Sequence, residues 1–276
     1  GKYLYFSDAH MAYRPGFFTA MIKAQQESGG LVHGAVQWMG AYPPHVRSTG
    51  YTYTIKLGEE IKGTWGNYRI AESWFYIPAQ GHWGLLADKK QFLDFGGYPS
   101  VHRTYGGGEF YTDMKWWLFG SCVVTEPSAI GYHLASGRGY SYDQHDYIHN
   151  VLNISYALGM DDWRERAYLN WCRTHNKDRM DKMMIEGEKE MARDRAFIEK
   201  RRTRTFNELI VERPWEVKNK ERHGTGMANL LVFHDTILPH FQADTRVWEM
   251  YQSSKYQKGL EDFINANLAS FVYKRK

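Results

Sequence analysis

Tyr3-Leu4-Tyr5-Phe6 is a short apolar and aromatic run that stops abruptly at Ser7-Asp8-Ala9-His10. It is too short for a helix and rich in strand-forming residues, so it predicts a buried strand. Arg14-Pro15-Gly16 opens a helix, with proline near the first turn. Phe17, Phe18, Met21 and Ile22 form its apolar face, and Gly29-Gly30 ends it. Residues 31–39 then alternate, Leu31, His33, Ala35 and Gln37 against Val32, Gly34, Val36 and Trp38, and read as a second strand. Strand, helix, strand predicts one βαβ unit and a piece of parallel sheet, hence an α/β chain.

Residues 51–57 alternate cleanly and predict an antiparallel strand. The aromatic stretch 64–77 reads as a strand or as a long loop feeding a site. From 78 to 108 glycines punctuate the chain, ending in Gly106-Gly107-Gly108, as where backbone must approach something closely. Residues 109–119 predict a helix with Met114, Trp117 and Leu118 on one face, and 121–127 a short strand. Residues 146–158, 161–172 and 177–202 read as helices, the third a solvated one laced with i,i+4 charge pairs. It ends in the basic cluster Lys200-Arg201-Arg202-Thr203-Arg204, and two more helices are expected near 226–238 and 245–270. The change of character places a boundary near residue 160, between an α/β part (1–160) and a helical extension (161–276).

Composition narrows the class. With 276 residues, 43% hydrophobic and 24% charged, the chain can bury a sizeable core and is globular. The net charge of +4 permits an anionic partner without requiring one. Two cysteines, Cys122 and Cys172, fit a reducing, cytoplasmic setting and not a disulfide scaffold. No apolar run reaches membrane-spanning length. Aromatics make up 16% and either fill the core or line a site for sugars or bases. Gly1-Lys2 leads directly into a core-type strand, which is expected of a chain that begins within a domain.

The chemistry begins where the first strand ends, because open α/β sheets bind ligands at the C-terminal ends of their strands. Asp8 and His10, two residues apart on extended chain, point to the same side. One carboxylate oxygen and one imidazole nitrogen could meet one divalent ion of the Mn²⁺ kind. The plainer reading makes Asp8 the cap of the following turn and His10 an ordinary loop histidine.

Three stations lie in order along the chain: Tyr3-Leu4-Tyr5-Phe6-Ser7-Asp8-Ala9-His10; Gly106-Gly107-Gly108-Glu109 followed by Asp113 and Trp116-Trp117; and Ile130-Gly131-Tyr132-His133. Together they resemble the catalytic half of GT-A glycosyltransferases, in the polypeptide N-acetylgalactosaminyltransferase-like branch, over residues 1–160. That branch carries a D-x-H on its metal strand, a W-G-G-E-N-x-E station opening a helix, and a late V-G-H. The resemblance implies a Rossmann-like GT-A fold and a bound divalent metal such as Mn²⁺. It makes Asp8, His10 and His133 metal ligands that hold the diphosphate of a nucleotide-sugar donor. It also makes Glu109 and Asp113 the acidic catalytic residues. Gly81, Trp83, Gly84, Gly107 and Gly108 then border donor sugar and acceptor, and Arg138, between two glycines, either holds phosphate or is a plain loop residue.

The sequence departs from the pattern at Tyr105, at Phe110 and at the inserted Tyr132. The insertion leaves His145 and His149, spaced i,i+4 on an expected helix, as rival ligands, against their reading as helix-surface histidines. The family also carries a nucleoside-binding stretch ahead of the metal strand. Its absence here implies a fragment or a second chain that supplies it, and an exposed sheet edge without it. By resemblance the product retains the donor's anomeric configuration. One acceptor reading is a hydroxymethylated pyrimidine in phage DNA, with Arg138 and residues 200–204 tracking phosphates. The alternatives are protein Ser/Thr or glycan hydroxyls, and a non-catalytic carbohydrate- or nucleic-acid-binding subunit.

Overall fold

A computed structural model of the chain describes residues 1–9, 11–39, 51–57, 61–67, 73–134 and 141–223. His10, Arg138, the tail from 224 and the two helices expected there lie outside these residues. The described elements run β1 (Tyr3–Ser7), β2 (Met11–Tyr13), α1 (Phe17–Ser28), β3 (Leu31–Met39), β4 (Tyr51–Leu57), β5 (Ile61–Asn67), β6 (Phe75–Tyr76) and β7 (Gly84–Asp88). They continue with α2 (Lys89–Asp94), α3 (Gly108–Leu118), β8 (Val123–Leu134), α4 (Gln144–Ala157), α5 (Asp161–Trp171), α6 (Lys177–Arg201), α7 (Phe206–Glu212) and α8 (Pro214–His223). The chain is mixed α/β, as its periodicity predicts.

The central sheet has the order β1-β7-β3-β8-β2, with β6 pairing the first half of β8. β4 and β5 form a separate antiparallel hairpin. β3 and β8 run parallel, but β1 does not adjoin β3: β7 lies between them, antiparallel to both. The expected βαβ unit therefore spans a strand that local periodicity does not place. The strand expected at 121–127 continues through the Ile130–His133 station as one strand, β8, carrying three extra residues opposite the Gly34/Ala35 step. Glu126 Oε1 holds that bulge by accepting from the N–H and Oγ of Ser128, at 2.8 and 2.6 Å. Gly34 is required there, since a Cβ would stand 2.8 Å from the Phe17 ring.

α1 begins after Gly16 and ends where Gly29, at φ 69°, returns its N–H to Gln25 O. It covers one sheet face with Phe17, Met21 and Ala24, while Phe18 stays 45% exposed. α3 covers the other face and is buried almost all round. One continuous apolar cluster joins Leu31, Val123 and Trp116 to Leu152, Trp163, Met191 and Trp215, so the C-terminal helices share the core of the sheet. At the β6 edge the Asn219 side chain accepts from Tyr76 N–H at 2.8 Å and donates to Tyr76 O at 2.7 Å. A buried amide thus takes the place of a neighbouring strand.

α4 and α6 meet where Gly187 faces Asn153. A Cβ at Gly187 would stand 1.5 Å from Asn153 Oδ1. Alanine in mid-helix gains at most about 1 kcal/mol over glycine, whereas overpacking costs about 1–3 kcal/mol. Gly187→Ala is therefore expected to destabilise the chain in urea unfolding, and adding Asn153→Ala should recover part of the loss. Additive effects of the two changes would show that this contact does not set the α4–α6 distance.

Candidate functional site

The site lies where the C-terminal end of β1 meets the second half of β8. Ser7 pairs with Gly84, so Asp8 is the first residue beyond the paired strand. His133 is held in β8 between Met11 of β2 and Trp38 of β3. The two side chains, 125 residues apart in sequence, meet with His133 Nε2 3.1 Å from Asp8 Oδ2. Asp8 is 47% exposed and His133 11%, so the pair opens outward from a fixed inner wall. Met11, the register partner of His133, packs against Trp83 and Val36.

Trp83 thus lies in the wall below the pair. Gly84 is approached by the Tyr5 hydroxyl, 2.9 Å from where a Cβ would be. Gly81 is buried just ahead of them.

A second cluster, which local sequence reading missed, lies on the face of the sheet that α3 covers. His33 points from β3 toward α3, where its Nε2 lies 3.0 Å from Asp113 Oδ1. His82 Nε2 lies 3.5 Å from the same oxygen, and His82 Nδ1 lies 2.8 Å from the Tyr98 hydroxyl. Asp113 Oδ2 accepts from Gln80 N–H at 2.8 Å, and the Gln80 amide donates to Gly34 O at 2.7 Å. His33 and Asp113 are fully buried. Burial alone would raise the Asp113 carboxyl. The charge and hydrogen bonds of His33, then those of His82, outweigh it and hold the group below the usual carboxylate range. Burial, then the negative Glu109 and Asp113, raise the Tyr98 hydroxyl above its ordinary value.

Of the two acids expected to act in catalysis, Glu109 is partly exposed in the first turn of α3, where the helix dipole favours its charge. Asp113 has no exposed surface and reaches outward only through His82. The signal that could have found this cluster is a histidine in the apolar run Leu-Val-His-Gly-Ala-Val, since a buried imidazole needs a polar partner.

The glycine run before α3 is explained by what closes on it. Gly106 and Gly107 take φ 110° and 81°, and a Cβ on them would stand 2.4 Å from Tyr147 and 2.8 Å from Ile154 of α4. A Cβ on Gly108 would stand 3.3 Å from His102. The loop before it is clamped by α4: Asn150 accepts from Arg103 N–H and donates to Arg103 O and Tyr105 O. Arg103 also reaches Glu190 and Glu186 of α6, at 3.7 and 3.9 Å. His149, read as a helix-surface histidine, is instead buried between Asn153 and Glu190. His145 turns to Asp143, beside its own helix start.

No protein-family model matches the chain, and no curated protein matches it. Among solved structures it is similar to GalNAc-T7 with UDP, GalNAc and Mn²⁺, at 13% identity and a TM-score of 0.47, over 70% of this chain and 41% of that one. It is also similar to the mannosyltransferase PcManGT from Pyrobaculum calidifontis in complex with GDP-Man and Mn²⁺, at 13% identity and a TM-score of 0.31, over 84% of this chain and 60% of that one. The chain spans less than two thirds of either.

One further buried charge sits on α3. Lys115 donates to Gly97 O and lies 4.4 Å from the Tyr111 ring centre, and burial pushes its ammonium down to about 7 against the pull of Asp194. Its folded value is below its unfolded 10.5, so between these pH values the unfolded chain binds the extra proton. The cost of burying Lys115 is therefore full below pH 7 and is relieved as pH rises. Relative to Lys115→Met, the wild type should gain stability on the order of 1 kcal/mol per pH unit in that window. Parallel pH dependences for the two proteins would show that Lys115 stays charged in the fold.

Proposed function

We propose that this chain carries the metal and acceptor side of a metal-dependent glycosyltransferase, moving a sugar from a nucleotide donor to a hydroxyl. The observation that supports this reading most is the meeting of Asp8 and His133, first and last stations of the sequence resemblance, at 3.1 Å. An oxygen and a nitrogen donor at that separation, one of them well exposed, fit neighbouring positions around a divalent ion. Asp8 and His133 would hold the ion, with His10 as the third ligand named from sequence. When bound, Mn²⁺ or a similar ion offsets the charge that develops on the leaving diphosphate.

The chain's own groups do the rest. Glu109 presents a carboxylate at the head of α3 to the sugar or acceptor hydroxyls. Trp83, Gly81 and Gly84 supply a rigid apolar wall under the donor, and Gly107 and Gly108 fix where α3 begins. Asp113 acts indirectly, holding His82 in one orientation. The outer side of β1, which no strand pairs among the described residues, is where a nucleoside-binding part would join the sheet.

Two acceptor classes follow from the sequence reading, hydroxymethylated pyrimidines in DNA and Ser/Thr or glycan hydroxyls. The basic end of α6 gives the DNA reading limited support. Arg204 is paired with Glu212 at 2.6 Å, Arg201 is bonded to Asp94 O and Arg202 acts on the carboxylates of Asp161 and Glu208, which leaves Lys200 as the cluster's most open cation.

The test incubates the chain, with a nucleoside-binding part supplied ahead of β1, with Mn²⁺, a panel of nucleotide sugars, and either hydroxymethylcytosine DNA or Ser/Thr peptides, read by mass spectrometry. A hexose- or pentose-sized gain is expected on one acceptor. Asp8→Ala and His133→Ala should each lower turnover at least about 100-fold without loss of fold. Turnover that survives Asp8→Ala would show the ion site to be wrong, and a wild type that neither transfers nor hydrolyses any donor would overturn the transferase reading.

A further inference from the structure

We propose that His33, His82 and Asp113 form a second, buried cation site of the zinc class, separate from the Asp8–His133 opening. The inference rests on the donor geometry alone and does not depend on the proposed activity.

Three donor atoms converge from three elements, β3, the segment before β7, and α3. His33 Nε2 and His82 Nε2 lie 3.0 and 3.5 Å from Asp113 Oδ1, and all three donors lie within 4.8 Å of one another. Ligands held about 2.0–2.1 Å from a tetrahedral Zn²⁺ stand about 3.3 Å apart. The two measured separations bracket that edge length. Two imidazole nitrogens and one carboxylate oxygen are also a donor set that zinc takes.

The surroundings match what metal ligands need. A zinc-bound imidazole commonly gives its other N–H to an oxygen, and His82 Nδ1 lies 2.8 Å from the Tyr98 hydroxyl. A monodentate carboxylate is steadied through its second oxygen, and Asp113 Oδ2 accepts from Gln80 N–H.

Hydrogen bonding alone leaves the cluster short. If both imidazoles are neutral Nε2–H donors, a fully buried carboxylate carries its charge with no cationic partner. A protonated His33 and a bound ion each supply that partner, and each leaves the buried His33 Nδ1–H without an acceptor among the described residues. A divalent ion supplies the missing charge and ties together three elements 31 to 80 residues apart in sequence. Ion binding would then contribute directly to the stability of the fold.

The probe is Co²⁺, which reports a tetrahedral nitrogen and oxygen environment by intense visible ligand-field bands, followed by displacement with Zn²⁺. The full chain, stripped with chelator, is expected to bind one equivalent with such bands, to lose them to Zn²⁺, and to melt at higher temperature with Zn²⁺ than without. His133→Gln should keep the bands, which separates this site from the outer one. Asp113→Asn should lose them. Tyr98→Phe, which removes only the outer partner of His82, should weaken Zn²⁺ binding about 10–100-fold. A folded wild type that shows no bands, or bands that vanish in His133→Gln and persist in Asp113→Asn, would overturn the proposal. Because the wild-type titration decides by itself, a failure of Asp113→Asn to fold does not protect it.

Discussion

The structure depends on α3 being a helix with almost no solvent face. Gly108 and every residue from Phe110 to Leu118 are buried, so each polar group on the helix must find its partner inside the protein. Thr112 turns back to Gly108 O, and Trp117 Nε1 donates to Ile77 O. Lys115 goes to Gly97 O, and Asp113 to the two histidines and Gln80. Apart from that of Thr112, which stays within α3, these bonds reach β3, the loop before β7, the loop after α2 and the residue after β6, and so the helix sets where they stand relative to one another.

The helices after residue 141 belong to the same arrangement. Asn150 of α4 holds the backbone at Arg103 and Tyr105, and Asp194 of α6 accepts from Ser100 N–H and from the Tyr111 hydroxyl. The loop that leads into α3 is therefore fixed from the far side by α4 and by α6, the latter in the segment whose sequence looks like an appendage. Its glycines serve this packing, since Tyr147 and Ile154 occupy the space where Cβ atoms would lie. A glycine run reads as permission for close approach, but the sequence does not say whether ligand or protein does the approaching.

Local pattern carried the elements well and their neighbours poorly. β1, α1, β3 and the long helix α6 follow from alternation, helical periodicity and the glycine stop at 29. β7 did not, because Leu85-Leu86-Ala87 is too short a run to separate from loop once glycines surround it. Its insertion between β1 and β3 is a fact about strand order, which no local period encodes. The outer pair was legible at Asp8 and His133 because a known pattern of stations lent them meaning. The inner trio was not. Its members are up to 80 residues apart; Asp113 stood out only as an acid of the resemblance, and His33 and His82 are each an unremarked histidine. Only burial reveals that they need one another.

The Asn219 amide on Tyr76 has a consequence for association. It closes the β6 margin of the sheet with a side chain that cannot itself be extended. At the β2 margin only three residues are available. β1 is the longest remaining margin, five residues of Tyr-Leu-Tyr-Phe-Ser with one side unpaired among the described residues. Strand addition is thereby polarised. Any strand that lengthens this sheet, native or errant, has one favourable berth, and it lies beside the segment that ends at Asp8.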